Sequence, residues 1–469
     1  MPMPALTPPA HTLAAIMAWV ICYWMTEAVP LAATAFLGPV LCVLLGVGKD
    51  KVVYAQFAHP LIMQFIGTFM LAAAMEKYGL DRRMASHLTA LPWVTRSPGR
   101  LFVALAVLTA FLSMWMSNAA TTAMMVPIAL GALSVWPQVK ANPLSRGSLV
   151  LLIAFAASVG GQGTPVGTPP NLIGLGFIRT TLGAEISFVQ WMMLGVPLVV
   201  VQLSFLLWWM HPRWAKGSPE IAGTAASELA AQRRALGPLS RGEINTIGVF
   251  CVVVLLWIAP GLLDIASQVW PAQTWAQSLA KQLKASFPEE TVGLLAGVLL
   301  MVLPTSFRRG TLTLPWREAV RIDWGTIFMF AGGMALGAQL FDTGLARVLG
   351  ESVAGSIGQP KVWTLTAVGI VLSIIVSEAA SNTASATVMV PVMIAVAQGA
   401  NVDALPVALA TCLACSFGFL LPVSTGPNAI AYGTGHVPVG LMMRRGALLD
   451  LVGAITIFLL VWWIVPLMR

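Results

Sequence analysis

Charge is what this sequence has least of. Of its 469 residues, 9% are Asp, Glu, Lys or Arg, whereas 58% are hydrophobic and the mean hydropathy is +0.83. So little polar surface cannot cover a soluble chain of this length, and the composition predicts a polytopic protein of the lipid bilayer. Histidine and cysteine are scarce as well. His11, His59, His87, His211 and His436 show no metal-ligand spacing and read as structural or interfacial. Cys22, Cys42, Cys251, Cys412 and Cys415 all sit inside apolar runs. The last two form a C-x-x-C, but no second Cys or His cluster completes a zinc or redox site, so they read as small buried hydrophobes. MPMPALTPPA carries no positive charge ahead of the first apolar run, so no cleavable leader is expected. GQGTPVG, from Gly161 to Gly167, lacks the Lys-Ser/Thr of a phosphate-binding loop, which argues against nucleotide use. No constellation of catalytic residues stands out.

What is present is a duplication. SMWMSNAATTAMMVPI, from Ser113 to Ile128, returns as SEAASNTASATVMVPV, from Ser377 to Val392, at a constant offset of 264 residues. TPVGTPPNLIG, from Thr164 to Gly174, returns as LPVSTGPNAIA, from Leu421 to Ala431, at an offset of 257, and Gly79-Leu80 is echoed by Gly344-Leu345. Three matches in the same order mark an internal repeat.

Apolar stretches long enough to cross a bilayer precede and follow these motifs in both halves, interrupted by Gly/Pro clusters. EKYGLDRRMASHLTAL, from Glu76 to Leu91, is basic and amphipathic and reads as a helix lying at the interface. If each Ser-Asn segment re-enters instead of crossing, every half has five crossings, and an odd number inverts the second half relative to the first. With ten crossings and both termini outside, 18 of the 26 basic residues fall on the inner side, as the positive-inside rule requires. The formal charge of +8 is then a property of cytoplasmic loops and not a nucleic-acid patch. The expected fold class is therefore an all-α polytopic membrane protein of two inverted repeats, with about ten transmembrane helices, two re-entrant helical hairpins and two broken helices.

Broken backbone at membrane depth is tolerated only where it lines a cavity or is buried in protein. A half-helix N-terminus presents free N–H groups and a positive dipole end suited to a carboxylate or similar anion. Freed carbonyls and Ser and Asn oxygens suit a hard cation such as sodium. The competing explanation is close helix packing through small residues; two copies in register, each followed by a Pro-Asn break, favour the site. Glu27 and Glu378 are acids inside apolar sequence. They read either as a proton relay or as groups that cap or position the hairpin.

The chain resembles the divalent anion:sodium symporter family of sodium-coupled di- and tricarboxylate transporters. The resemblance runs over nearly the whole length, through WMTEAVPLAATAF (Trp24 to Phe36), both Ser-Asn motifs, VGTPPN, STGPN and IDWGTIFMFAGGMALG (Ile322 to Gly337). It implies two sodium ions, one at Ser113, Asn118 and Gly167 and the other at Ser377, Asn382 and Ser424. It implies an anion held by Ser117, Asn118, Ser381, Asn382, Thr383 and Thr425. It also implies a homodimer in a bacterial inner membrane, working by an elevator motion of transport parts against scaffold parts. On that pattern the first repeat spans 11–210 (scaffold 11–98, transport 99–210), a cytoplasmic loop spans 211–243, and the second repeat spans 244–467 (scaffold 244–360, transport 361–467). Three departures stand out. Ala119 replaces the usual threonine of the first motif, with Thr121 and Thr122 near enough in sequence to compensate. Position 377 is Ser where threonine is common, and the helix usual before WMTEAVP has only ten Pro-rich residues in its place. The expected activity is sodium-driven import of a C4-dicarboxylate such as succinate, malate or fumarate. A citrate or sulfate transporter and a sodium-independent exchanger are the alternatives; a membrane enzyme would need catalytic groups that are not found.

Overall fold

The structure, a computed structural model, describes residues 6–133, 143–210, 233–269, 274–357 and 360–468. Most of the 211–243 loop therefore lies outside the described residues. The first half runs α1 (Pro8–Thr26), α2 (Leu31–Leu44), α3 (Pro60–Lys77), α4 (Leu80–Thr89), α5 (Pro98–Ser113), α6 (Asn118–Leu133), α7 (Pro143–Gly160), α8 (Pro169–Leu182) and α9 (Phe188–Met210). The second runs α10 (Arg241–Val269), α11 (Thr274–Ser286), α12 (Glu289–Val302), α13 (Trp324–Asp342), α14 (Leu345–Ile357), α15 (Val362–Ala379), α16 (Asn382–Gly399), α17 (Ala404–Ala414), α18 (Gly426–Gly433) and α19 (Val439–Ile464). Many starts are written locally. Proline opens α1, α3, α5 and α8, where its missing N–H costs nothing. Thr7, Ser97, Asp323 and Asp403 accept N-terminal amides as caps. The Gly-Leu echoes are left-handed joints: Gly79 (φ 61) turns α3 into α4 and Gly344 (φ 78) turns α13 into α14, a conformation that costs glycine little.

Each Ser-Asn segment is two helices, not one. α5 and α6 pack against each other, and both pack along α7. With 18 residues, α7 is only about 27 Å long, too short for both halves of a continuous rod to lie along it. The pair is a hairpin. α15 and α16 fold back in the same way along the still shorter α17. The Gly/Pro clusters break the chain as expected, between α7 and α8 and between α17 and α18.

The two halves are knitted reciprocally. α2 of the first half packs on α13 of the second, and α12 of the second packs on α3 of the first. The broken helices exchange partners too: α8 lies against α17 and α16, while α18 lies against α7 and α6. Among the described residues six helices are long and apolar enough to cross a membrane alone: α3 with the segment before it, α9, α10, α13, α15 and α19. Five of these are expected crossings; α15 is an arm of the second hairpin. The remaining expected crossings are α1, α2, α12 and the two broken pairs, which Gly and Pro divide into shorter pieces. α12 is preceded by α11 across a bend of 59°. The all-helical expectation needs one small correction, a two-stranded hairpin of Pro304–Ser306 with Thr311–Leu312 turned at Gly310 (φ 61).

The tightest seam is α3 on α12. A Cβ at Gly67 would stand 1.9 Å from Gly293 O, so Gly67→Val must force the backbones apart. We expect it to cost about 1–3 kcal/mol or more, read as a lower melting temperature in detergent. Gly248→Ala, with nothing within 4 Å of the new carbon, should leave the melting temperature unchanged.

Candidate functional site

Four helix N-termini meet at one cavity of about 590 Å³. Its wall includes Ser117 to Ala120 at the start of α6, Thr168 and Pro169 at α8, Ser381 to Thr383 at α16 and Thr425 to Pro427 at α18. All six residues expected to touch the anion (Ser117, Asn118, Ser381, Asn382, Thr383 and Thr425) therefore line a single space. The caps explain how their hydroxyls are held. Ser117 Oγ accepts from Ala120 N at 3.4 Å, Ser381 Oγ from Ala384 N at 3.2 Å and Thr425 Oγ1 from Asn428 N at 3.2 Å. An oxygen that accepts a capping N–H still has its own proton to donate into the cavity. Four positive dipole ends with hydroxyl donors suit an anion.

Beneath each hairpin tip lies a matched oxygen pair. Ser113 Oγ donates to Asn118 Oδ1 at 2.7 Å, and Ser377 Oγ to Asn382 Oδ1 at 2.8 Å; both serines are fully buried. The third expected member of each set sits in the facing break, where Gly167 and Ser424 line the cavity. Gly167 is crowded by carbonyls, since a Cβ there would lie 2.5 Å from Gly161 O and 2.9 Å from Met114 O. In the second half Ser377 Oγ also reaches Cys415 O at 2.8 Å, and Asn382 Nδ2 donates to Ser416 O at 3.2 Å. Each set brings a serine hydroxyl and an asparagine oxygen beside the facing break, where Gly167 offers only its backbone and Ser424 a hydroxyl as well, oxygen chemistry that suits a hard monovalent cation.

Sequence reasoning missed what holds the breaks in shape. Asn171 Nδ2 donates to Gly161 O at 3.0 Å and Thr164 O at 2.7 Å; Asn428 Nδ2 donates to Gly418 O and Leu421 O, both at 2.9 Å. Donor and both acceptors keep the 257-residue offset, so each break is closed by the same clamp. The signal was the asparagine recurring in both Pro-Asn motifs, but its partners are visible only in three dimensions. The possible compensation for Ala119 fails. Thr121 and Thr122 are fully buried, and Thr122 Oγ1 is committed to Asn118 O at 2.8 Å. Ala119 instead packs against Gly426, where an added Cβ would meet it at 2.9 Å.

Glu27, in the left-handed region at φ 48 where α1 ends, lines the cavity together with Glu76, Arg321 and Asp323. Glu378 points the other way, into the second break, and accepts from Leu420 N at 2.9 Å. A larger cavity of about 1100 Å³ adjoins the first, sharing Glu76 and Ala120 and walled by Lys77, Arg82, Arg83 and Glu243. Arg83 pairs with Glu243 at 2.5 Å and Lys77 with Glu318 at 2.7 Å. Elsewhere, Arg179 of α8 pairs with Glu290 of α12, and Phe188 N donates to Glu289 at 2.8 Å.

Helices broken at a shared polar cavity, in a chain this apolar, define a polytopic membrane transport protein and not an enzyme. The model of the sodium:sulfate symporter transmembrane region matches residues 1–469, and the chain belongs to that family. It is 32% identical over 468 residues to a sodium-dependent dicarboxylate transporter, SdcS, of Staphylococcus saprophyticus, covering 96% of this chain and 85% of the relative. It is 30% identical to the protein of the same name from Staphylococcus aureus, covering 97% and 85%. Among solved structures it resembles the YdaH transporter of Alcanivorax borkumensis (TM-score 0.58, 15% identity, 98% of this chain and 99% of that one). It also resembles MtrF of Neisseria gonorrhoeae (TM-score 0.54, 11% identity, 98% and 95%). At those identities the likeness is one of fold.

Proposed function

We propose that this chain is a secondary active transporter that couples inward movement of sodium to uptake of a C4-dicarboxylate such as succinate, malate or fumarate. The observation that carries the reading is the convergence of four helix N-termini and two matched Ser-Asn pairs on one cavity. Both curated relatives bear the name of a sodium-dependent dicarboxylate transporter, which supports the same substrate class. Two sodium ions are assigned, one to Ser113, Asn118 and Gly167 and one to Ser377, Asn382 and Ser424. The anion goes to Ser117, Asn118, Ser381, Asn382, Thr383 and Thr425.

The hairpins and broken helices (99–210 and 361–467) form the moving parts of an elevator, and 11–98 with 244–360 form its scaffold, in two inverted repeats. The reciprocal packing of α2 with α13 and α3 with α12 supports a pseudo-two-fold relation between the halves. The basic residues around the larger cavity support a cytoplasmic assignment for that side and for the 211–243 loop, in a bacterial inner membrane. By its family the protein is assigned as a homodimer. Uptake of labelled succinate into proteoliposomes, with and without a sodium gradient, tests the reading: uptake should require the gradient. Gradient-independent succinate exchange would replace it with the exchanger reading, and competition by citrate or sulfate alone would replace the substrate.

The two motifs should hold the ends of the anion unequally. Thr383 offers a hydroxyl and Ala119 cannot; a hydrogen bond to a charged group is worth roughly 1.5–3 kcal/mol, or about a 10- to 100-fold change in affinity. Thr383→Ala should weaken succinate binding by that factor, while Ala119→Thr should strengthen it more modestly. Competition assays on both variants check this, and a harmless Thr383→Ala would move the anion elsewhere.

A further inference from the structure

Gly167 and Ser424 occupy equivalent places in the two repeats, but what stands behind them differs. In the first half the break is tied to its hairpin by neutral groups, Thr164 Oγ1 donating to Met114 O at 2.5 Å. The residue at the place of Met114 in the second half is Glu378. There Ser424 Oγ lies 2.8 Å from Glu378 Oε2 and 2.9 Å from Glu378 O, and Leu420 N donates to Glu378 Oε1 at 2.9 Å. Ser424 is 1% exposed, so water does not compete for these bonds.

A serine hydroxyl has one proton. When that hydroxyl donates to the carboxyl oxygen behind it, the serine lone pairs are left for a cation in front. Partners that orient and polarise a ligand from behind tune metal affinity as a rule. The first site has no such anion at the equivalent place.

We infer that Glu378 is a positioning residue for the second sodium site, orienting Ser424 and making Ser377, Asn382 and Ser424 the tighter of the two sites, the one filled first. This rests on the sodium-coupled reading above.

The test is a sodium titration of the purified protein at constant ionic strength, with choline as the replacement ion, reading thermal protection. Glu378→Gln should raise the midpoint of the tight phase by about 10- to 100-fold, leaving KM for succinate at saturating sodium unchanged. Ser424→Gly, which copies the first repeat, should raise the same midpoint by a similar factor. The double variant should be no weaker than Ser424→Gly alone, because both changes act through the same ligand, the Ser424 hydroxyl. Ser113→Ala, at the other site, should instead add its own loss to that of Glu378→Gln. A wild-type protein without sodium protection would overturn the sodium-coupled reading and this inference with it. A protected wild type with an unshifted Glu378→Gln midpoint, or additive losses in the double variant, would overturn this inference alone. If Glu378→Gln does not fold, an unshifted Ser424→Gly midpoint is enough to reject it.

Discussion

Asn118→Ala and Asn382→Ala are each expected to reduce sodium-dependent uptake to background while the protein remains folded. Each asparagine lines the cavity and shares its Oδ1 with a fully buried serine; under the proposed assignment it serves both cation and anion. Losing two interactions with charged groups, at roughly 1.5–3 kcal/mol each, amounts to about 3–6 kcal/mol, or roughly a 100- to 10,000-fold loss. Both side chains are only part-buried, so melting temperatures should fall less than for a fully buried asparagine, although Asn382→Ala also strands Ser416 O. The decisive measurement is uptake against sodium concentration in both variants. Activity with an unchanged sodium midpoint in both would take the Ser-Asn pairs out of the mechanism.

The opposite balance is expected at Asn171 and Asn428. These side chains are fully buried and each donates to two carbonyls across a break. Alanine there strands two buried acceptors, each costing roughly 1–3 kcal/mol, for a total of about 2–6 kcal/mol. That is a large share of the roughly 5–15 kcal/mol by which a protein is stable. Asn171→Ala and Asn428→Ala should therefore melt early and transport poorly for want of a fixed site. Asn171→Asp is the sharper probe: it keeps the shape but replaces a donor with an acceptor facing two carbonyls. It should be at least as damaging as alanine at neutral pH. An aspartate variant as stable as the wild type would mean that the breaks hold their shape without the clamp.

These two pairs of asparagines also mark where the sequence could be read and where it could not. Asn118 and Asn382 stand in a hydroxyl-rich motif repeated at one offset, so pattern marked both segments and both breaks, and the family resemblance implied that they share one site. Gly79 and Gly344 were visible as an echo for the same reason, but that they turn one helix into the next was visible only in the structure. Asn171 and Asn428 recur just as plainly, but a clamp is defined by its acceptors. Backbone carbonyls seven and ten residues away carry no signature in the sequence. Glu378 is harder still: its partner Ser424 is 46 residues distant, and the repeat works against it, because its counterpart is Met114. α11 and the short strand pair escaped because they sit between the duplicated segments, where no second copy gives support.

The exchange of partners between the halves bears on how the chain is made. α2 ends at Leu44, and the helix it packs on does not begin until Trp324. At roughly 5–20 residues per second, synthesis leaves α2 waiting about 15–60 s for α13. During that interval the face of α2 that α13 covers, which includes Ala35 and Gly38, has only lipid and neighbours from the first half beside it. The first half is thus an unfinished bundle for as long as the ribosome is still reading the second, and a chain cut at the central loop should assemble only when both pieces occupy the same bilayer.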